Sequence, residues 1–223
     1  MKLLKAAHMV PVWITNYVFF SYQSMLKKIA TILSLIGHPL ILGSLVIIFQ
    51  TAYSYSAHQS LMGSLIVIGG ITLPVIIWNF YQTYSGKYSG FDIPLRKQRT
   101  SFYIFLSISF VAVTVLLFIT HQPYPISMSV CFCLFMVLSC FLINFKLKIS
   151  LHSSTSFFLS FMLIYYNLDI GLAMLGLAVL VGWSRRVLHL HSKQEIIAGA
   201  IIGSIWGLSY LFVLHDLMKS QLH

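Results

Sequence analysis

The segment from Ser184 to Glu195 concentrates the polar chemistry of this chain. It holds three cations, two histidines and one of only four acidic residues, between two apolar runs. Arg185, His191 and Glu195 have the types and the order of an anion holder, a nucleophile and a carboxylate that orients the nucleophile. If residues 191–195 are helical, their spacing places Glu195 beside His191. The segment therefore predicts phosphate chemistry at a membrane surface.

Glu195 also has a purely structural interpretation. Ser192 and Glu195 fit the capping-box pattern S-x-x-E, which begins a helix. We expect Glu195 to serve both as a cap and as the partner of His191 only if its two carboxylate oxygens divide the two tasks. Both interpretations stay open at the level of the sequence.

The composition is that of a polytopic membrane protein. Of the 223 residues 58% are hydrophobic and 8% are charged, whereas soluble domains carry about 25% charged residues. The excess of 14 Lys and Arg over 4 Asp and Glu fits the usual bias of cytoplasmic loops and favours anionic lipid. Because the cations are scattered between apolar segments and form no basic face, nucleic acid is not an expected partner.

The apolar stretches predict an all-α bundle of about seven (six to seven) transmembrane helices. A turn at Asn167–Asp169 divides one long stretch into the fifth and sixth spans. Gly199, Gly203 and Gly207 form a small-residue face on the last helix, which lets another helix approach closely. The predicted stretches are 37–54, 61–83, 101–120, 124–145, the two halves of 153–187, and 195–215.

Two domains are predicted. Residues 1–36 form an N-terminal segment, which is either an interfacial helix or includes residues upstream of a true start at Met25. Residues 37–218 form the membrane-embedded helical domain. The three cysteines, Cys131, Cys133 and Cys140, lie in one apolar segment and predict neither a disulfide framework nor a metal site.

The order of spans predicts that the polar clusters meet. These clusters, residues 84–100, 146–152 and 184–194, follow spans two, four and six. Since even-numbered spans end on the same side of the membrane, the three clusters are expected to form one composite site.

Three motifs in these clusters resemble those of the phosphatidic acid phosphatase type 2 superfamily. Residues 184–195 resemble its third motif, SRxxxxxHxxxD, with Glu in place of the final Asp. Residues 149–152, ISLH, stand where the second motif, PSGH, would stand. Residues 92–99 resemble a degenerate first motif, usually K-x6-R-P. The resemblance covers roughly residues 60–210 and is greatest to a bacterial branch with ISLH or ISMH as its second motif.

The resemblance implies a role for each matching residue. His191 would attack phosphorus and form a phosphohistidine, Glu195 would orient it, and His152 would protonate the leaving oxygen. The phosphate-binding residues would be Arg185, Arg99 and Ser150. The lysine of the first motif is Asp92 in this chain, so Arg96 or Lys97 would take its role. The implied enzyme is a metal-independent lipid phosphatase without a cofactor, in the bacterial inner membrane.

Two other classes of function stay open. A relative that is catalytically weak or inactive would use the same cations to bind or transport phosphate-bearing lipid. A haem or metal protein would use His152 and His191 as ligands, but several arginines at the site would oppose a cation. The identity of the lipid, the side of the membrane and the oligomeric state do not follow from the sequence.

Overall fold

The computed structural model describes residues 12–54 and 56–220, and within them it contains helices and no strand. The prediction of an all-α protein is confirmed. Nine α-helices lie within the described residues, together with a π-helical turn at Ile68–Thr72 between α3 and α4 and a 3₁₀ turn at Arg96–Gln98 before α5. The α-helices are α1 (Val12–Ile36), α2 (Pro39–Ser54), α3 (Ala57–Val67), α4 (Leu73–Tyr84), α5 (Arg99–Ile119), α6 (Tyr124–Asn144), α7 (Leu151–Tyr166), α8 (Leu168–Val187) and α9 (Lys193–Ser220).

Seven membrane spans are not confirmed. Within the described residues five helices are long and apolar enough to cross a membrane, and a sixth span results if the pair Gln23–Ile36 and Pro39–Tyr53, bent by 49°, counts as one. The missing span is α7, whose 16 residues extend over about 24 Å, less than the hydrocarbon core of about 30 Å. The arrangement is consistent with a multi-pass integral membrane protein.

The helix boundaries follow from residues that begin or end helices. Pro39 begins α2 at the position where a missing N–H costs nothing. Asn167 ends α7, and its Oδ1 caps α8 by accepting a hydrogen bond from the Ile170 N–H at 3.0 Å. The turn predicted at Asn167–Asp169 is therefore confirmed.

Helix α7 lies at the centre of the bundle, and α9 packs directly on its backbone. A Cβ atom on Gly199, Gly203 or Gly207 would come within 2.7, 2.1 and 2.8 Å of Ser150 O, Ser154 O and Phe161 Cβ, respectively. The predicted close helix approach is thus confirmed, and α7 is the partner. This packing fixes the start of α7 against the start of α9, where two of the candidate site segments lie.

The polar clusters meet at one end of the bundle. The backbone before α7 contacts Arg96 and Arg99 from the first cluster, and Lys148 contacts Leu190 O from the third at 2.9 Å. The N-terminal segment reaches the same end, since Ser34 of α1 contacts Arg185. The proposals of an interfacial helix or a later start concern residues that partly lie outside the described ranges, and they stay predictions.

Candidate phosphate site

Arg99 is buried and held by the backbone of two neighbouring segments. Its Nε donates to Ile93 O at 2.9 Å and its Nη1 donates to Ile149 O at 2.7 Å. Ile93 belongs to the segment that resembles the first motif, and Ile149 lies next to Ser150. Arg99 therefore joins the first and second clusters and places a fixed positive charge between them.

Arg185, near the end of α8, is 2% exposed. Its Nη1 donates to Ser34 Oγ at 2.6 Å and to Asp92 Oδ2 at 2.9 Å, while its Nε is buried without a hydrogen-bond partner. A buried guanidinium is costly unless it is paired. Asp92 supplies that pairing, so the carboxylate neutralises one of the two arginines of the site.

The segment around Asp92 is strained. Ile93 has a φ of 48°, which is unfavourable for a β-branched residue and is found where the surrounding structure enforces it. The Ile93 carbonyl binds Arg99 while the adjacent Asp92 carboxylate binds Arg185. Asn79 Nδ2 donates to Phe91 O at 3.4 Å and steadies the same segment. The strained backbone thus brings two acceptors to two different arginines.

Asp92 also faces His38, the residue between α1 and α2. His38 Nε2 lies 3.5 Å from Asp92 Oδ1, and the Asp92 side chain is 35% exposed. Burial raises the pKa of Asp92, but the hydrogen bond with His38 and the charges of nearby groups, Arg185 among them, outweigh it and hold the pKa well below its ordinary range. Asp92 is therefore an anion at neutral pH.

On the opposite side, His191 and Glu195 form the predicted pair. His191 Nδ1 lies 2.9 Å from Glu195 Oε2. The capping box is also present: Glu195 N–H donates to Ser192 Oγ at 3.2 Å, and Ser192 N–H donates to the same Glu195 Oε2 at 3.1 Å. The expectation that the two oxygens divide these tasks is wrong, because one oxygen with two lone pairs accepts both bonds.

His191 is kept neutral by its surroundings. Burial, followed by the charges of Arg99, Lys148 and Arg185, lowers the pKa of His191 to about 3. Burial, followed by the charge of Arg99, likewise lowers the pKa of the Lys148 amine. A neutral imidazole with its Nδ1 bonded to a carboxylate has its other nitrogen available as a base or nucleophile.

His152, in the first turn of α7, lies between the two sides. Its ring is 6% exposed, and its Nε2 is 3.4 Å from Nη1 of Arg185. The ring also meets that of His38 edge-on, with centroids 5.2 Å apart. The structure therefore brings His152 into the same cluster as Arg185 and Asp92.

Three predicted phosphate-binding residues lie elsewhere. Arg96 is exposed and its Nη1 donates to Lys146 O at 2.8 Å, and Lys97 is exposed. The 3₁₀ turn directs only the next residue, Arg99, into the interior. Ser150 is fully buried as the N-cap of α7, where its Oγ accepts from the Ser153 N–H at 3.4 Å and the Ser153 hydroxyl at 3.3 Å. None of the three lines the cavity.

A cavity of about 150 Å³ opens from this cluster into the bundle. Six polar site residues line one end, and mostly apolar side chains of α2 and α4–α7 line the remainder. Glu195 stands behind His191 and outside the wall. The six polar residues are His38, Asp92, Arg99, His152, Arg185 and the nucleophile candidate His191.

A cation does not fit this cluster well. Among the described residues, His38, Asp92 and His152 offer ligand atoms that lie within 4.8 Å of one another. However, the Arg185 guanidinium donates to Asp92 and lies against His152, so a fixed positive charge already occupies their shared side. This charge favours an anion at the site.

Sequence reasoning missed three contributors. Asp92 was recognised only as a departure from a motif, although its presence in a chain with four acids was a usable signal. Lys148 lies inside the second polar cluster, which was also a signal. His38 lies in none of the three motifs, and no sequence feature indicated its contact with Asp92.

Comparison with known proteins gives no match: no protein-family model, no curated protein and no solved structure matches this chain. The resemblance to the phosphatidic acid phosphatase type 2 superfamily therefore rests on the motifs and on the arrangement of the residues that carry them.

Proposed function

We propose that this protein is a membrane phosphatase of the phosphatidic acid phosphatase type 2 kind, located in the bacterial inner membrane. It hydrolyses a lipid phosphomonoester or pyrophosphate through a phosphohistidine intermediate. The observation that carries the proposal is the buried His191–Glu195 hydrogen bond, beside a cavity wall shared with His152, Arg99 and Arg185.

In the first chemical step, His191 Nε2 attacks phosphorus and the bond from phosphorus to the leaving oxygen breaks. Glu195 accepts the Nδ1 proton in a hydrogen bond and stabilises the positive charge that develops on the ring. His152 takes up a proton as the anionic phosphate binds beside it and passes that proton to the departing oxygen. Arg99 and Arg185 offset the negative charge on the phosphoryl oxygens.

In the second step, water attacks the phosphohistidine. His152, which lost its proton in the first step, accepts a proton from that water, and the nitrogen–phosphorus bond breaks. Inorganic phosphate leaves, and both histidines return to their starting protonation states. Apart from water, no group outside the chain is needed to balance the reaction.

The test is phosphate release from a panel of lipid phosphates and diphosphates by purified protein in the presence of EDTA. Wild type is compared with His191→Ala and His152→Ala, and with His189→Ala as a matched control, since His189 is exposed in the same loop. We expect both site variants to lose at least about 1,000-fold in rate, as when a nucleophile or its proton donor is removed. The control keeps its rate.

Acid-labile ³²P on the protein distinguishes the intermediate. His191→Ala should abolish this label, whereas His152→Ala should retain it with an aryl phosphate, whose leaving group needs no proton, because only the second step then depends on His152. Equal rates in all four proteins, with the variants folded, would contradict the proposal.

One observation favours a second function, namely binding or transport of phosphate-bearing lipid without turnover. In the segment that resembles the first motif, Asp92 stands at the position of the lysine. Its carboxylate already accepts a hydrogen bond from Arg185. A site with one neutralised arginine holds a phosphate less strongly. If this function is correct, His191→Ala retains wild-type affinity for a lipid phosphate, and Arg99→Ala does not.

A further inference from the structure

The cavity continues from the polar cluster into the apolar interior of the bundle. Beyond Arg99 and His152 its wall is largely apolar, with the hydroxyl groups of Thr72, Ser129 and Thr155 among the lining, and comes from α2 and α4–α7. We call this part the tail chamber. It is defined by Gly43, Leu106, Phe110, Cys133, Phe158 and Met162.

The tail chamber is long and runs along the helix axes. At about 1.5 Å per residue, the lining residues Arg99 and Phe110 of α5 are separated by about 16 Å along the axis. The lining residues His152 and Met162 of α7 are separated by about 15 Å on the same basis. Two independent helices thus give the same depth.

The wall of the chamber contains an irregular helix. The π-helical turn Ile68–Thr72 interrupts the continuous helix formed with α3 and α4, and Ile71 and Thr72 line the cavity. Such turns cost regular hydrogen bonding and are found frequently at functional sites.

We infer that the tail chamber binds one hydrocarbon chain of the substrate while the polar end holds its phosphate, an inference that rests on the proposed function for the chemistry at that end. The largely apolar lining offers water few hydrogen-bond partners. A volume of about 150 Å³ over this depth makes the chamber narrow, which suits a single chain rather than two chains side by side. The substrate class is therefore a lipid phosphate that can insert one chain.

Gly43 offers a direct way to block the chamber. A Cβ atom at Gly43 meets nothing within 4 Å, and the residue lines the cavity. Gly43→Phe therefore fills empty space rather than disturbing packing. Gly176→Phe is the matched control, because a Cβ atom there is equally free but Gly176 is exposed and away from the cavity.

The first readout is hydrolysis of dodecyl phosphate relative to phenyl phosphate, which has no long chain. We expect Gly43→Phe to lower the ratio of their kcat/KM values by at least about 10-fold, the loss of a modest binding contribution. Gly176→Phe should leave the ratio unchanged. An unchanged ratio in Gly43→Phe, with dodecyl phosphate still hydrolysed, would overturn the inference while leaving the proposed phosphatase intact.

The second readout does not depend on hydrolysis. Cys133 lines the chamber and Cys131 does not. Each is labelled with N-ethylmaleimide in phosphatidylcholine nanodiscs, in a variant that has the other and Cys140 replaced by Ala. We expect dodecyl phosphate to slow labelling of Cys133 at least about 5-fold, to leave Cys131 unaffected, and to give no protection in Gly43→Phe. Inorganic phosphate should protect neither thiol.

These two readouts separate the possible failures. Protection of Cys133 without any hydrolysis would retain the chamber and contradict the phosphatase. Absence of protection together with hydrolysis that does not depend on Gly43 would contradict the chamber alone.

Discussion

The two sides of the phosphate site are built in different ways. On the nucleophile side, His191 and Glu195 are four residues apart and meet within the first turn of α9. On the Asp92 side, the carboxylate meets an arginine 93 residues away and a histidine from another helix junction. The first side depends on local helix geometry, whereas the second exists only when the whole bundle has packed.

The difference extends to charge. The nucleophile side holds a neutral imidazole ready for attack, since burial and nearby cations lower the pKa of His191. The Asp92 side holds an anion on Arg185, where an incoming phosphate would bind. In the proposed mechanism, a phosphate therefore competes with Asp92 for Arg185 on one side and meets the neutral His191 imidazole on the other.

The largest effect should come from breaking the nucleophile side. Glu195→Ala removes the acceptor that orients His191, so we predict that the rate of phosphate release falls by about 10,000-fold, as when the carboxylate of a catalytic triad is replaced. The measurement is kcat with the preferred lipid phosphate.

The cap must be separated from this catalytic effect. Ser192→Ala removes the hydroxyl that caps the N–H of Glu195 and leaves the carboxylate beside His191. It should lower the free energy of unfolding by about 1 kcal/mol and change kcat little. If Ser192→Ala lowered kcat as much as Glu195→Ala, the carboxylate would be only a cap.

The same distinction explains what could be read from the sequence. Spacings of three and four residues predicted the capping box and the His191–Glu195 pair. The three glycines of α9 indicated that this helix approaches another helix closely. The contact between His38 and Asp92 depends on how α1 and α2 bend over the bundle, which no local pattern encodes. The exclusion of Ser150 from the cavity likewise follows from the way α7 begins.

A pH profile sharpens the account of the nucleophile side. An imidazole with the ordinary pKa of about 6.5 would be mostly protonated at pH 5. The fraction that is neutral would then be lower by roughly 30-fold. Because the pKa of His191 is lowered to about 3, His191 stays neutral and its protonation should reduce the phosphorylation rate only as the pH falls toward 3. We predict less than about a 3-fold loss between pH 7 and pH 5.

The measurement is the single-turnover rate of ³²P incorporation. An aryl phosphate serves as substrate, and its own ionisation, determined by ³¹P NMR, is divided out. If the corrected phosphorylation rate still fell as the pH dropped through about 6.5, His191 would titrate like an exposed imidazole and the prediction would be wrong.

A smaller effect should come from breaking the Asp92 side. Asp92→Asn removes the anion that competes for Arg185 while keeping the shape of the side chain. We predict that the affinity for inorganic phosphate rises by about 5-fold, equivalent to about 1 kcal/mol, and that KM falls more than kcat changes. Competitive inhibition by phosphate measures the first and steady-state kinetics the second.

Asp216→Asn controls for the loss of an acid, because Asp216 is exposed near the end of α9 away from the site. Its phosphate affinity should match that of wild type. A weaker affinity in Asp92→Asn would mean that the carboxylate positions Arg185 for the substrate and does not compete with it.

The smallest effect should come from the two cations beside the site. Arg96 is tied to Lys146 O and Lys97 is exposed, whereas Arg99 lines the cavity. Exposed charges of this kind contribute little to a screened interaction, so Arg96→Ala and Lys97→Ala should each change kcat/KM by less than about 2-fold. Arg99→Ala, measured beside them on the same lipid phosphate, should lose far more, because a buried cation at the phosphate end has no substitute. If the kcat/KM of Arg96→Ala or Lys97→Ala fell as far as that of Arg99→Ala, the replaced side chain would have to move into the cavity on substrate binding. It would then take the role of the lysine that Asp92 replaces in the motif.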